Sequence, residues 1–238
     1  RLPAKFILRL AYKEATGHMP PSESLTGGRA SVRVLKHLGY DGIYEKIEGR
    51  INRNAVKNAR RNAFKDILAS YFGKVEIEKK FPGIQVPDLS NRNVMDKDLR
   101  SILNCIESVR GMKVKGQACR LLSFDFYIPT INIVIEFDER QHFTLPRAAS
   151  LQAYPVSKQI GFDGKRWIQL CQNINAGDNS PEYRDEQRAF YDAIRDIMAP
   201  RFGLKPIVRI YEADVCWEKE GDSSPGAKTI LDQIRTVA

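Results

Sequence analysis

Cysteine and histidine are scarce in this chain: four cysteines (Cys105, Cys119, Cys171, Cys216) and three scattered histidines (His18, His37, His142) in 238 residues. No two cysteines stand at the C-x-x-C spacing of a zinc knuckle or redox pair, which argues against a structural zinc site. A disulfide scaffold does not suit a chain of this size. The expectation is reduced, mostly buried thiols in a cytoplasmic protein. No run of about eighteen apolar residues exists, so no membrane span is expected. The opening Arg1-Leu2-Pro3-Ala4-Lys5 has neither an initiator Met nor a signal-peptide pattern, and reads as the start of a chain that begins mid-protein. No internal repeat is visible. Acidic residues are also in deficit. Thirty-eight basic against twenty-nine acidic side chains leave a net charge of +9, the balance of a protein with a polyanionic partner. A 42% hydrophobic and 9% aromatic composition excludes global disorder, collagen and low complexity. The length suits one domain with additions, or two small ones.

Residues 1–49 read as a small helical arm, broken at Pro20-Pro21 and Gly27-Gly28, with no chemistry in it. Residues 50–72 read as one long helix. Val56, Ala59, Ala63, Phe64, Ile67, Leu68 and Tyr71 recur at three- and four-residue steps, and Gly73 stops it. Its first half carries Arg50, Arg53, Lys57, Arg60 and Arg61 with no acid between them. Like charges at such spacing repel unless a polyanion neutralises them, so these are candidate DNA contacts. A strand is expected over 74–81, a loop over 82–95, and an amphipathic helix from Asp96 to Val109 ending at Gly111. Strands follow at 118–128 and 131–137. Residues 145–180 look irregular, punctuated by Pro146, Pro155, Gly161, Gly164 and Gly177. Ser180-Pro181 reads as the cap of a helix to about Ala199. Pro206–Tyr211 reads as a strand, and Ser224-Pro225 as the opening of a last helix.

The informative segment is Asp125-Phe126-Tyr127-Ile128-Pro129, followed by Glu136-Phe137-Asp138 and Gln141-His142. Two strands flank a turn at Pro129-Thr130. With a two-residue turn, Ile128 opposes Ile131 and Asp125 opposes Val134. Asp125, Glu136 and Asp138 then project from one face, with Asp125 and Glu136 diagonal neighbours about 7–8 Å apart at the backbone. Phe124, Phe126, Ile133, Ile135 and Phe137 pack on the other. Carboxylates converging on apolar strands raise each other's pKa or recruit a cation, and oxygen ligands suit Mg²⁺, with Mn²⁺ as a substitute. Such an ion polarises a phosphodiester and acidifies bound water.

This hairpin resembles the PD-(D/E)XK, or restriction-endonuclease-like, nuclease superfamily, nearest its very-short-patch-repair-like branch. The likeness spans roughly residues 56–215, including Tyr183–Arg188 and Val208–Ile210. It implies an α/β core: a mixed sheet of four or five strands with helices on both faces. It makes Asp125 and Glu136 the metal ligands, with the Phe137 carbonyl as a further donor. Asp138 stands where the family carries lysine, so it can act only as a base or further ligand. His142 becomes a candidate acid/base or phosphate contact. Asp66 is the acid available on the first helix. The implied activity is Mg²⁺-dependent endonucleolytic cleavage of DNA, in restriction, repair nicking or defence. A nucleic-acid-binding module of the same fold without catalysis, and an RNA-cleaving nuclease, are the alternatives. Cutting both strands with one site calls for a homodimer or two sequential nicks.

Overall fold

The computed structural model describes residues 13, 16–18, 60–177, 180–214 and 225–237, with side chains in the last stretch from 230 onward. The expected N-terminal arm therefore lies almost wholly outside the described residues. The chain divides into two compact units, Arg1–Asn62 and Ala63–Ala238, where the sequence placed the boundary at 49/50. The long basic helix is described from 60 to 72, and this stretch is α1. Gly73 follows it with φ 81°, the left-handed conformation that a glycine stop supplies.

The second unit is built on β1 (Glu76–Gln85), α2 (Lys97–Arg110), β2 (Leu121–Ile128), β3 (Ile133–Asp138), α3 (Leu145–Gln152), α4 (Gly164–Ile174), α5 (Arg184–Arg201), β4 (Val208–Tyr211) and α6 (Pro225–Val237). The strands form one mixed sheet in the order β1-β2-β3-β4. β1–β2 and β2–β3 pair antiparallel, and β3–β4 pair parallel across the helical connection α3–α5. The expected α/β class, four strands and flanking helices are all present. α2 ends as its sequence dictates: the Asp96 carboxylate accepts from the Asp98 and Leu99 amides, and Gly111 closes the helix in the left-handed conformation.

Two apolar layers sandwich the sheet. On one face Phe64 and Leu68 of α1 and Ile230, Leu231 and Ile234 of α6 pack against Phe126, Ile128, Ile133, Ile135 and Phe137. On the other, α2 and α5 cover Ile84, Val86, Leu122 and Val134. Phe124, expected beside Phe126, joins this second layer instead, with its ring 5.7 Å from that of Phe81.

Three expectations need correcting. The β2–β3 turn spans four residues, 129–132, and the register pairs Ile128 with Ile133 and Phe126 with Ile135. Asn132 makes this possible. It adopts φ 55°, which asparagine tolerates, and its side-chain amide donates to the Gly203 carbonyl at 2.7 Å. A register change of two leaves the β3 side chains, with Asp125 and Phe126 of β2, on their expected faces. Second, residues 145–180 are not irregular but contain α3 and α4. Their apparent breakers sit at helix starts: Pro146 in the first turn after the Thr144 cap, and Gly164 just after the Asp163 cap. Third, α5 begins at Arg184, one turn later than Ser180-Pro181 predicted.

Phe126 is fully buried and meets the Phe64 ring edge-on at 5.3 Å. Phe126→Ala is expected to cost about 3–5 kcal/mol in chemical denaturation, from lost transfer energy and a cavity between α1 and the sheet.

Candidate active site

The observed register, continued by one step, sets Asp125 directly opposite Glu136 rather than diagonal to it. The two carboxylates are interlocked with the neighbouring strand's backbone. Asp125 Oδ2 accepts from the Phe137 amide at 2.9 Å, and Glu136 Oε1 lies 3.4 Å from the Asp125 amide nitrogen. Asp125, Glu136 and Phe137 thus form one small cluster on the hairpin. Asp125 is half-buried, while Glu136 is only 4% exposed.

Burial pushes the Glu136 carboxyl up to about 8. Arg195 of α5, with Nε 3.7 Å from Glu136 Oε1, pulls it partway back, and the Asp125 charge raises it further. Without a cation Glu136 holds a proton at neutral pH. Arg195 is itself fixed: its Nε donates to the Ser123 carbonyl at 2.9 Å, and its Nη1 to Asp192 Oδ1 at 3.2 Å.

Asp138 is placed differently. It projects from the same face but is 1% exposed, and both its oxygens are engaged. Oδ1 accepts from Arg209 at 2.8 Å and Oδ2 from the Trp167 indole at 2.8 Å. An acid so held is a structural anchor; neither oxygen faces an open site for a base or a further ligand. Arg209 (β4) also donates through Nε to Asp196 Oδ1 at 3.0 Å. Asp196 Oδ2 in turn accepts from Arg147 at 2.7 Å and from the Tyr154 hydroxyl at 2.6 Å. His142 joins this network, its Nδ1 3.0 Å from Asp192 Oδ2 and 3.6 Å from Asp138 Oδ1. Burial, the largest influence, lowers the imidazolium pKa. Asp192, by charge and hydrogen bond, and Asp138 outweigh it, so His142 titrates above its usual value.

Asp66 is exposed on α1, whose Phe64 and Leu68 pack against the opposite face of the sheet, so the structure does not bring it to the pair. Of the candidate DNA contacts, Arg50, Arg53 and Lys57 lie outside the described residues. Arg60 and Arg61 are half-buried at the start of α1, within the first unit.

Among the described residues no three His, Cys, Asp or Glu side chains gather into a metal cage. That excludes the closed donor set of a structural zinc there. A hard cation asks for less: Mg²⁺ is held by one or two carboxylates, with water and phosphate completing its shell. Asp125 and Glu136, with the adjoining Phe137 carbonyl, meet that requirement.

The chain matches no protein-family model, no curated protein and no solved structure.

Sequence reasoning missed Arg195, Asp192, Asp196 and Arg147. A signal was available. Asp192 and Asp196 share a helical stripe with Ala189, Ala193 and Ile197, and acids on an apolar stripe must be buried and paired.

Two predictions follow from this electrostatic arrangement. Arg209→Leu leaves Asp138, Asp192 and Asp196 facing one another without their shared cation, and is expected to cost about 3–5 kcal/mol in urea denaturation. In EDTA, Glu136 makes folding weaken with rising pH. The native carboxyl keeps its proton up to about 8 while the unfolded one loses it near 4.5, so the native state binds more protons between those values and stability falls across that window. Glu136→Gln removes this fall, so its Tm advantage over the wild type grows from pH 5 to pH 8.

Proposed function

We propose that this chain is a metal-dependent DNA endonuclease hydrolysing phosphodiester bonds at Asp125 and Glu136. The observation that carries the reading is the opposed pair itself: one half-buried and one deeply buried carboxyl on adjacent strands, with Glu136 driven toward its neutral form by burial. Burying such a pair is costly unless a cation compensates it. The resemblance of the hairpin to the PD-(D/E)XK nucleases supports the same assignment, as do the mixed four-stranded sheet with helices on both faces and the net charge of +9.

In this reading Asp125, Glu136 and the Phe137 carbonyl hold Mg²⁺, or Mn²⁺ in its place. An ion held there would polarise the phosphodiester and lower the pKa of the attacking water. The chain's own groups do the positioning. The Phe137 amide fixes the Asp125 carboxylate. Arg195 stands beside Glu136, where it attracts a phosphate oxygen. Asp138 anchors β3 to β4 through Arg209 and takes no part in proton transfer. His142, clamped to Asp192, is a positioning residue whose pKa that carboxylate raises. Restriction, repair nicking and defence all use this chemistry.

One observation favours a second reading. The position at which the nuclease family carries its lysine holds an acid whose oxygens are both occupied, as expected of a nucleic-acid-binding module that has lost catalysis.

Supercoiled-plasmid cleavage decides between them. With Mg²⁺ or Mn²⁺ the wild type is expected to nick or linearise the plasmid, EDTA to stop it, and Glu136→Ala to abolish it. DNA binding without cleavage under either metal supports the binding module. Cleavage by Glu136→Ala at the wild-type rate rejects the hairpin as the site. A structured RNA in competition with the plasmid tests RNA as the preferred substrate.

A further inference from the structure

Beside the carboxylate pair lies a cavity of about 350 Å³, lined by Lys80 of β1, Arg120, Leu121, Leu122 and Ser123 at the start of β2, and Tyr191 and Arg195 of α5. Its lining holds three cations and no acid. Arg195 is partly neutralised by Asp192 and Glu136. Lys80 and Arg120 are not: both are exposed, and neither forms an ion pair with a described residue. The Arg120 guanidinium instead lies 5.9 Å from the centre of the Tyr191 ring.

Tyr191 closes one wall of the cavity. The residue is only 9% exposed, and its hydroxyl finds no hydrogen-bond partner among the described residues. A buried hydroxyl left unpaired costs about 1–3 kcal/mol. Every other buried side-chain nitrogen or oxygen among the described residues is satisfied, including those of the dense ion network nearby. The Tyr191 hydroxyl is shielded from solvent, so what the cavity offers a ligand is uncompensated positive charge. Its volume falls in the lower part of the range of ligand pockets, roughly 300–1,000 Å³.

We infer that this cavity is a subsite for a phosphate of the DNA backbone, held by Arg120 and Lys80, next to the phosphate that Asp125 and Glu136 cleave. The inference rests on the nuclease reading for the identity of the strand. Lys80 and Ser123 are direct cross-strand partners, which fixes the lysine at the cavity rim. Arg195 forms the boundary between the two sites: it lines the cavity and stands 3.7 Å from Glu136. A strand seated with one phosphate in the cavity has its neighbouring phosphate directed to the carboxylates. The interactions are charge-assisted hydrogen bonds to the backbone, which fix register and carry no sequence information.

The test is fluorescence anisotropy of a short labelled DNA duplex with the full chain in EDTA, across a KCl series, with inorganic phosphate as competitor. Arg120→Ala is expected to weaken binding and lower the salt slope by about 1. Lys80→Ala is expected to weaken binding and lower the salt slope by a similar amount. Inorganic phosphate should compete less effectively against Arg120→Ala than against the wild type. Unchanged affinity and salt slope in both variants overturn the subsite, as does failure of the wild type to bind the duplex. Weakened binding in the variants, together with a wild type that cleaves no plasmid, keeps the phosphate site and rejects the nuclease reading. Cleavage by a wild type whose binding the variants do not alter rejects the subsite and keeps the nuclease.

Discussion

Arg209 is the residue that the arrangement of this domain depends on. It is fully buried on β4, paired in register with Glu136 of β3, and reaches Asp138, Asp192 and Asp196. An arginine in this position is costly to desolvate, and the cost is offset only when acids saturate its donors. The acids come from β3 and α5, so one guanidinium fixes the spacing between the sheet and the helix that covers it. Arg147 of α3 extends the network through Asp196, and Trp167 of α4 through Asp138. Elements far apart in sequence are thereby held in one relative position. Hydrophobic burial supplies most of the stability of such a core, and an ion network of this kind adds registry.

The same network shapes the site. By occupying both oxygens of Asp138, Arg209 and Trp167 withdraw that acid from the face it shares with Glu136. What remains is a pair in place of a triad. Glu136 sits at the network's edge, where Arg195 compensates it only in part, and it is left to carry a proton or meet a cation. Asp138 and Glu136 are two residues apart on one strand, yet their surroundings drive them to opposite uses.

The sequence made the strands and the acidic hairpin legible because alternation is a direct readout of sheet faces, and Asp125, Glu136 and Asp138 kept their expected side even though the turn proved longer. Turn length was illegible for a local reason: Pro129-Thr130 looks complete on its own, while the left-handed Asn132 is anchored by Gly203, distant in sequence. α3 and α4 were missed because proline and glycine read as breakers, whereas here they occupy first turns. The role of Asp138 was beyond any local pattern, since its partners come from β4 and α4. Asp192 and Asp196 could have been found, because an acidic pair four apart on an apolar stripe demands buried cations, and the chain's surplus of arginine supplies them.

The two faces of the sheet are chemically unlike, and this division determines where function can sit. The face under α1 and α6 is packed with Phe64, Phe126, Ile135, Phe137 and Ile234. The face under α5 carries every group discussed as functional: the opposed carboxylates, the arginine network and the acid-free basic cavity. Alternation makes this separation possible, since each residue of β3 contributes to one face only. Phe137 fastens the strand to the apolar layer, while Glu136 and Asp138 on either side point into the polar one. The apolar layer can therefore hold the hairpin rigid while the reverse side carries the charges at which a cation and a phosphate are proposed. The opposed carboxylates and the basic cavity share this face. Here Arg195 stands between them, tied to the Ser123 carbonyl and to Asp192, and keeps an acidic and a basic site apart on the same surface.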